Sequence, residues 1–127
     1  MTNIQFKTIY NYYDLPLNFT FTTNEGKDLL YAHLIDTDEN GMNTYWVVPT
    51  TEQRVSRAEK RVIDVRTFMT LPGFAEEVLI TTADGERVTL DLETATMLYE
   101  DLLPEAETYI LDEEEEPHWK ESDGEWI

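Results

Sequence analysis

The feature that most constrains the fold is the stretch of residues 15–49, where three strand-like runs are separated by two turn sequences. In the first run every second residue is leucine or phenylalanine, which is the period-2 pattern of a half-buried strand. The second run, residues 29–35, carries apolar residues at both sets of alternating positions, and this indicates a central strand covered on both faces. The third run, residues 44–48, is rich in aromatic and β-branched residues, which strands favour. We therefore predict a three-stranded antiparallel meander.

A helix is predicted directly after this meander. Thr50 and Gln53 match a capping box, in which Thr50 would be the N-cap residue. Val55, Ala58 and Val62 follow at the spacing of one helical stripe, and we expect them to face the core. A second stripe is basic and is expected to face water or a partner: Arg54, Arg57 and Arg61.

The segments that follow predict a second unit of hairpin and helix. Residues 77–82 and 87–92 alternate around an Asp84-Gly85 turn, which is a strong short-range hairpin signal. A helix over residues 94–103 would place Ala95, Leu98 and Leu102 on one buried face. Shorter elements are predicted elsewhere, namely a lead-in strand or arm over 1–14, a helix over 64–69 and a strand over 109–111.

Together these segments predict an α+β fold. It would contain an antiparallel sheet of five or six strands in the order β-β-β-α-β-β-α, with helices packed on the sheet. At 127 residues the length fits one domain, which we place at residues 1–111. Residues 112–127 are predicted to form an acidic C-terminal tail that contains tryptophan.

The charge of the chain is unusual, with 27 acidic and 9 basic residues and a net charge of −18. Residues 101–127 hold 11 acids and one base, while five of the nine bases lie within residues 54–66. Because like charges repel, we expect no direct binding to nucleic acid or to an anionic membrane. The expected partner is a protein with a basic surface.

The absence of cysteine excludes disulfides, thiolate metal sites and cysteine nucleophiles, and it fits a reducing compartment. The first fourteen residues lack the basic and apolar regions of a signal peptide. No apolar run approaches the roughly 18 residues that a membrane span needs. We therefore expect a cytosolic protein, and no motif indicates a cofactor.

A loop at residues 36–41 matches the first half of a calcium-binding loop. Asp36, Asp38 and Asn40 occupy the first, third and fifth ligand positions, and Gly41 the sixth. The twelfth position, which requires a bidentate glutamate, is Val47. We expect an acidic hairpin loop, and a calcium site on these three residues is the weaker alternative.

The two histidines do not indicate catalysis. His33 lies in the middle of a predicted strand, where a hydrogen-bonded histidine on the sheet is the usual finding, and His118 lies in the acidic tail. Neither is paired with a nucleophile at a recognisable spacing, and the chain contains no glycine-rich phosphate loop. We therefore expect that the protein is not an enzyme.

Three tyrosines, Tyr10, Tyr12 and Tyr13, fall within four residues. Tyrosine is favoured at interfaces because it buries area and keeps a polar group, so these residues are candidate partner contacts. An aromatic edge of the core explains the cluster equally well.

The tail combines acids with large apolar residues, and disordered solvating tails rarely carry the latter. This composition is typical of a docking segment, which would contact either a partner or the protein's own domain. The candidate partner-binding residues of the tail are Asp112, Glu113, Glu114, Glu115, Glu116, Trp119 and Trp126.

Part of the chain resembles a group of small uncharacterised bacterial domains that begin Y-Y-D-x-P-L. The matching segments are residues 12–17, the strand pattern that ends at 46–49, Glu52 with Arg54, and residues 63–68. The resemblance covers residues 10–70, and this chain departs from the family's S-E-E-R and I-S-L-R-x-A-F patterns at 50–54 and 64–68. It implies a similar fold and no activity.

The leading hypothesis is a non-enzymatic, acidic protein-interaction module. Its acids would occupy a basic groove that normally binds phosphate, as in an inhibitor of a nucleic-acid-handling or defence enzyme from a phage or mobile element. Two alternatives stay open. In the first, the chain would be a bacterial housekeeping domain whose acidity serves solubility. In the second, it would be a small calcium-binding module that uses the loop at residues 36–41.

Overall fold

The computed structural model describes residues 2–13, 15–23, 28–70, 77–82, 86–111 and 118–126. These residues form a seven-stranded sheet, three α-helices and one 3-10 turn. The strands are β1 (Thr2–Tyr13), β2 (Leu15–Thr23), β3 (Leu29–Thr37), β4 (Asn43–Pro49), β5 (Glu77–Thr82), β6 (Arg87–Asp91) and β7 (His118–Trp126). The helices are α1 (Glu52–Glu59), α2 (Val65–Thr70) and α3 (Leu92–Leu98), and the 3-10 turn is Glu100–Leu102.

The strands lie in the spatial order β6-β5-β4-β3-β2-β1-β7, and every neighbouring pair is antiparallel. The α+β class and the antiparallel sheet are thus confirmed. The predicted strand count and order need correction, because four strands precede α1 and the sheet has seven strands. Residues 109–111 form no strand, whereas the backbone of β7, which the sequence assigned to the tail, pairs with β1.

Apolar side chains pack on both faces of the sheet. The helix side is the larger cluster and includes Tyr31, Trp46 and Phe68, each with 0% of its surface exposed. The opposite face is lined by strand residues such as Phe19, Phe21 and Val47. The central strand β3 contributes Tyr31 to one cluster and Ala32 to the other, which confirms the prediction from its two-sided apolar pattern.

A β-bulge in β1 decides which side chains face the helices. Phe6 pairs with Phe21 and Thr8 pairs with Thr20, so Lys7 is the extra residue on the β1 side. The bulge shifts the alternation by one position. Tyr10 consequently lies in the cluster under the helices, while Ile9 lies in the cluster on the opposite face.

Helix α1 begins one residue later than predicted. Thr50 remains tied to the sheet, because its backbone N–H donates to the Leu29 carbonyl over 3.0 Å. Thr51 is the N-cap instead, and its hydroxyl accepts from the Arg54 N–H at 3.2 Å.

The end of α1 also corrects a core prediction. A Schellman pair of hydrogen bonds, Arg61 N–H to Ala58 and Val62 N–H to Arg57, closes the helix with Arg61 at a φ of 62°. The chain therefore leaves the helical path before Val62. Ala58 is buried as expected, but Val62 is 59% exposed rather than facing the core.

Candidate protein-interaction surface

The helix after β6 presents its apolar residues differently from the sequence prediction. Asp91 is the N-cap, and its carboxylate accepts from the Thr94 N–H and the Thr94 hydroxyl, both at 2.7 Å. The helix therefore begins at Leu92, two residues before the predicted start. Ala95 still faces the core, but the helix ends at Leu98, and Leu98 is exposed rather than buried.

Four of the exposed large hydrophobic residues lie in three consecutive elements, namely β6, α3 and the 3-10 turn. The residues are Val88 at 52% exposure, Met97 at 74%, Leu98 at 66% and Leu102 at 40%, which we call the β6–α3 face. Within the described chain, Val62 is the one other large hydrophobic residue that is exposed to this extent. Clustered apolar exposure of this kind marks interaction sites, whereas scattered single residues need no explanation.

The strand that carries Val88 lies at the edge of the described sheet. β6 pairs with β5 on one side, and the described residues place no strand on its other side. An edge strand presents backbone N–H and C=O groups that another chain can pair with. The β6–α3 face therefore offers both apolar contacts and backbone hydrogen-bonding groups.

The segment that carries this face is acidic. Residues 86–107 contain seven acids and one base, and all seven acids are exposed. They are Glu86, Asp91, Glu93, Glu100, Asp101, Glu105 and Glu107. Protein interfaces usually combine an apolar centre with a charged rim, and this segment supplies exposed apolar side chains together with an excess of acids.

The segment after α3 is fixed to the domain by polar contacts. Arg66 forms an ion pair with Glu100 at 2.6 Å and donates to the Pro104 carbonyl at 3.2 Å. The Asp64 carboxylate accepts from the backbone N–H groups of Thr67 and Glu107 at 2.8 and 3.0 Å. A hydrogen bond from the Thr67 side chain, together with those from the Glu107 and Thr67 N–H groups, stabilises the ionised carboxyl and lowers the pKa of Asp64. The 3-10 turn and the residues that follow it are therefore held against α2.

Of the three clustered tyrosines, Tyr10 is the one whose side chain the structure describes. Tyr10 is 2% exposed, and its hydroxyl donates to a Glu59 carboxylate oxygen at 2.7 Å. Burial and this carboxylate both raise the pKa of Tyr10. Tyr10 is thus a core residue and is not available to a partner in this structure, because the bulge in β1 turns it towards α1. The side chains of Tyr12 and Tyr13 lie outside the described residues.

The structure does not describe the side chains of the candidate tail residues. Asp112, Glu113, Glu114, Glu115 and Glu116 lie outside the described residues. The backbone of Trp119 pairs with Thr8 of β1 and that of Trp126 with Thr2, while their side chains are not among the described parts of the structure. Their role in partner binding stays a prediction.

Two arginines of the predicted basic stripe lie over aromatic rings. The Arg54 guanidinium is 6.0 Å from the centre of the Phe68 ring, and that of Arg61 is 4.5 Å from the Tyr109 ring. Both distances suit a cation–π contact. The two side chains thus pack on the domain's own aromatic residues.

The loop at residues 36–41 is a tight hairpin turn. One oxygen of the Asp38 carboxylate accepts from the backbone N–H groups of Asn40 and Met42, at 2.9 and 2.8 Å. Gly41 has a φ of +79°, which favours glycine. In the part of the chain that the structure describes, no three His, Asp or Glu side chains are grouped to hold a metal ion.

We predict that calcium leaves the thermal stability nearly unchanged. The Asp38 carboxylate already accepts two backbone hydrogen bonds within the turn, so we expect it not to bind calcium. A ligand raises the melting temperature only if it binds the folded state in preference to the unfolded state. Thermal denaturation with and without about 1 mM Ca²⁺ tests this. An increase of several degrees, abolished by Asp36→Asn, would instead establish a calcium site.

His33 belongs to a polar network on the helix side of the sheet. The Asn18 amide donates to the Tyr31 hydroxyl at 3.2 Å, and that hydroxyl lies 2.7 Å from Nδ1 of His33. When the imidazole is neutral and Nδ1 carries no proton, Nδ1 can accept the hydrogen bond from the Tyr31 hydroxyl. Burial lowers the pKa of His33 from 6.5 to about 4, in agreement with this arrangement.

This network predicts a loss of stability in mild acid. Since the folded-state pKa of His33 is about 4 and the unfolded value 6.5, the unfolded chain binds the proton more strongly. The stabilisation that comes from keeping His33 neutral is complete above pH 6.5. As the pH falls towards 4, the free energy of unfolding decreases by roughly 3 kcal/mol because of this group. Urea unfolding of the wild type and of His33→Gln across this range isolates the effect, because other carboxyl groups titrate in both proteins. A stability difference that does not change with pH would contradict the prediction.

The described fold is an α+β domain built on an antiparallel sheet, and none of its helices is long and apolar enough to cross a membrane. Comparisons with family models, with curated proteins and with solved structures gave no match. The resemblance to the Y-Y-D-x-P-L domains stays a prediction.

Proposed function

We propose that this protein is a non-enzymatic interaction module that binds a basic protein through the β6–α3 face. The observation that carries the proposal is the coincidence of four exposed apolar side chains, an edge strand and seven exposed acids in residues 86–107. The apolar residues would supply affinity, and the acids would steer a partner of opposite charge.

The partner class follows from charge. At a net charge of −18, the protein is attracted to surfaces that themselves bind phosphate. We propose a nucleic-acid-handling enzyme or a similar basic protein as the partner, with the carboxylates occupying its phosphate-binding surface. An inhibitor or counter-defence role is the physiological form of this proposal.

The acidic tail is proposed to extend the same surface. Residues 112–116 add five consecutive acids directly after the described segment that follows α3. Replacing them with the matching amides is expected to slow association with the partner and to leave dissociation nearly unchanged, because long-range attraction acts before contact. A change confined to the dissociation rate would place these residues in direct contact.

Affinity capture tests the proposal. The immobilised full-length chain would be exposed to a bacterial lysate at about 50 mM and about 500 mM NaCl, since exposed charges are screened at the higher concentration. We expect proteins identified by mass spectrometry at low salt to be basic and to be released at high salt. Retention of no protein, or only of proteins that are acidic and insensitive to salt, would favour the alternative that the acidity serves solubility.

A further inference from the structure

Strand β6 is a regular edge strand. Its five residues pair with β5 in unbroken register, and no described strand lies on its other side. Bulges, prolines and a covering helix or loop commonly protect an edge strand from pairing with another chain. β6 contains neither a bulge nor a proline. Three consecutive residues, 87–89, are exposed, and because they alternate between the two faces of the sheet, this part of the strand is open to solvent.

The two faces of β6 differ in chemistry. Leu90 packs with the helix-side cluster, so Val88, two positions away, lies on the same face, where it is 52% exposed. Residues 87, 89 and 91 lie on the opposite face and are an arginine, a threonine and an aspartate. Paired strands share their faces. A strand added beside β6 would therefore place apolar side chains next to Val88 and polar side chains on the other face.

Charge decides which strand can be added here. Residues 86–107 hold seven exposed acids and one base, and Glu86 and Asp91 lie at the two ends of β6. A second copy of this chain would bring the same excess of acids against β6, and like charges repel. A segment that carries lysine or arginine would be attracted by these acids. The charge therefore favours a basic segment over self-association.

We infer that β6 binds its partner by strand addition. The added strand is an extended segment of about five residues, with apolar residues at alternate positions and lysine or arginine between them. Backbone hydrogen bonds to β6 provide affinity, and the alternating side chains provide specificity. The inference rests on the proposed function, because it names the part of the basic partner that contacts the β6–α3 face.

The experiment adds the synthetic peptide KVKVKVK, blocked at both ends, to the ¹⁵N-labelled full-length protein. We expect the peptide to bind and to slow amide hydrogen exchange in β6, since the N–H groups at its open edge gain a partner. The control peptide KKVVVKK has the same charge and composition without the alternation. It should bind about fivefold more weakly or less, because its valines cannot all lie on one face.

Methylation of the peptide nitrogens separates strand addition from charge attraction. In a strand, successive N–H groups point to opposite edges, so only every second one can donate to β6. Methylation of two valine nitrogens and methylation of two lysine nitrogens should therefore differ. One of these peptides should bind about tenfold more weakly than the parent, and the other should lose less than about threefold.

Val88→Lys places a positive charge at the open edge and should weaken binding of the peptide about tenfold or more. Val62→Lys makes the same change of charge at a site after α1 that is 59% exposed, and it should change affinity less than about twofold. Circular dichroism checks that both variants are folded.

Three results would overturn strand addition: equal losses from the two methylated peptides, exchange protection in β7 rather than β6, or equal affinity of the two lysine variants. With any of these results, a captured basic protein whose affinity still depends on Met97 and Leu98 would show that the proposed function holds without strand addition. The expected peptide results, together with capture of no basic protein, would support strand addition and place the failure in the proposed function.

Discussion

Replacing Trp46 with alanine is expected to lower the free energy of unfolding by about 3–5 kcal/mol, the usual cost of truncating a large buried aromatic residue. Trp46 lies in the middle of β4, has 0% of its surface exposed, and belongs to the cluster under the helices. Its removal would leave a cavity that the sheet and α2 cannot close without moving. A loss of this size is a large fraction of the total stability of a small domain, so partial unfolding at room temperature is expected.

Part of this effect comes from a hydrogen bond. The Trp46 indole N–H donates to the Met69 carbonyl at 3.2 Å, and Met69 lies in the last turn of α2, where carbonyl groups have no partner within the helix. Trp46→Phe keeps most of the ring and leaves that carbonyl unsatisfied. It should therefore cost about 1–3 kcal/mol, less than the alanine variant.

Urea unfolding monitored by circular dichroism measures both variants. Val62→Ala, at a site that is 59% exposed, is the control and should change stability by less than about 0.5 kcal/mol. If Trp46→Ala cost less than about 1 kcal/mol, Trp46 could not be a central core residue, and the packing of α2 on β4 would be wrong.

The second large effect concerns partner binding. Replacing Met97 and Leu98 together by glutamine should weaken binding to a captured basic partner about a hundredfold, since apolar anchors at the centre of an interface dominate its affinity. Glutamine preserves helix propensity and charge, so the excess of acids is unchanged. Because both side chains are mainly exposed, at 74% and 66%, the double variant should fold with nearly unchanged stability.

Val62→Gln is the matched control for this pair. It removes a similarly exposed apolar side chain that lies after α1 rather than on the β6–α3 face. Affinity should be unchanged in the control and strongly reduced in the double variant, as measured by isothermal titration. Equal losses in the two variants would indicate nonspecific hydrophobic adhesion.

The sequence predicted the elements whose pattern is local. β3 was identified from apolar residues at both alternating sets of positions, and the structure buries Tyr31 on one face and Ala32 on the other. Helix α2 was likewise placed within one residue of its observed start, with Val65, Phe68 and Met69 buried.

The features that the sequence did not predict have identifiable physical causes, and some of them depend on residues distant in the chain. The bulge at Lys7 reverses the side-chain alternation in β1, so Tyr10 enters the core, and the register that creates it depends on β2. The error in the start of α3 was avoidable, because Asp91 with Thr94 is a recognisable N-cap pair that sets where the helix begins.

Association and dissociation rates measured across a salt series test whether a basic partner binds through the β6–α3 face. A purified captured partner would be used with the wild type and with the Met97→Gln/Leu98→Gln variant. We expect wild-type association to slow about tenfold or more between about 50 and 500 mM NaCl, and the variant mainly to dissociate faster. Association that is independent of salt, together with a variant that dissociates at the wild-type rate, would contradict it.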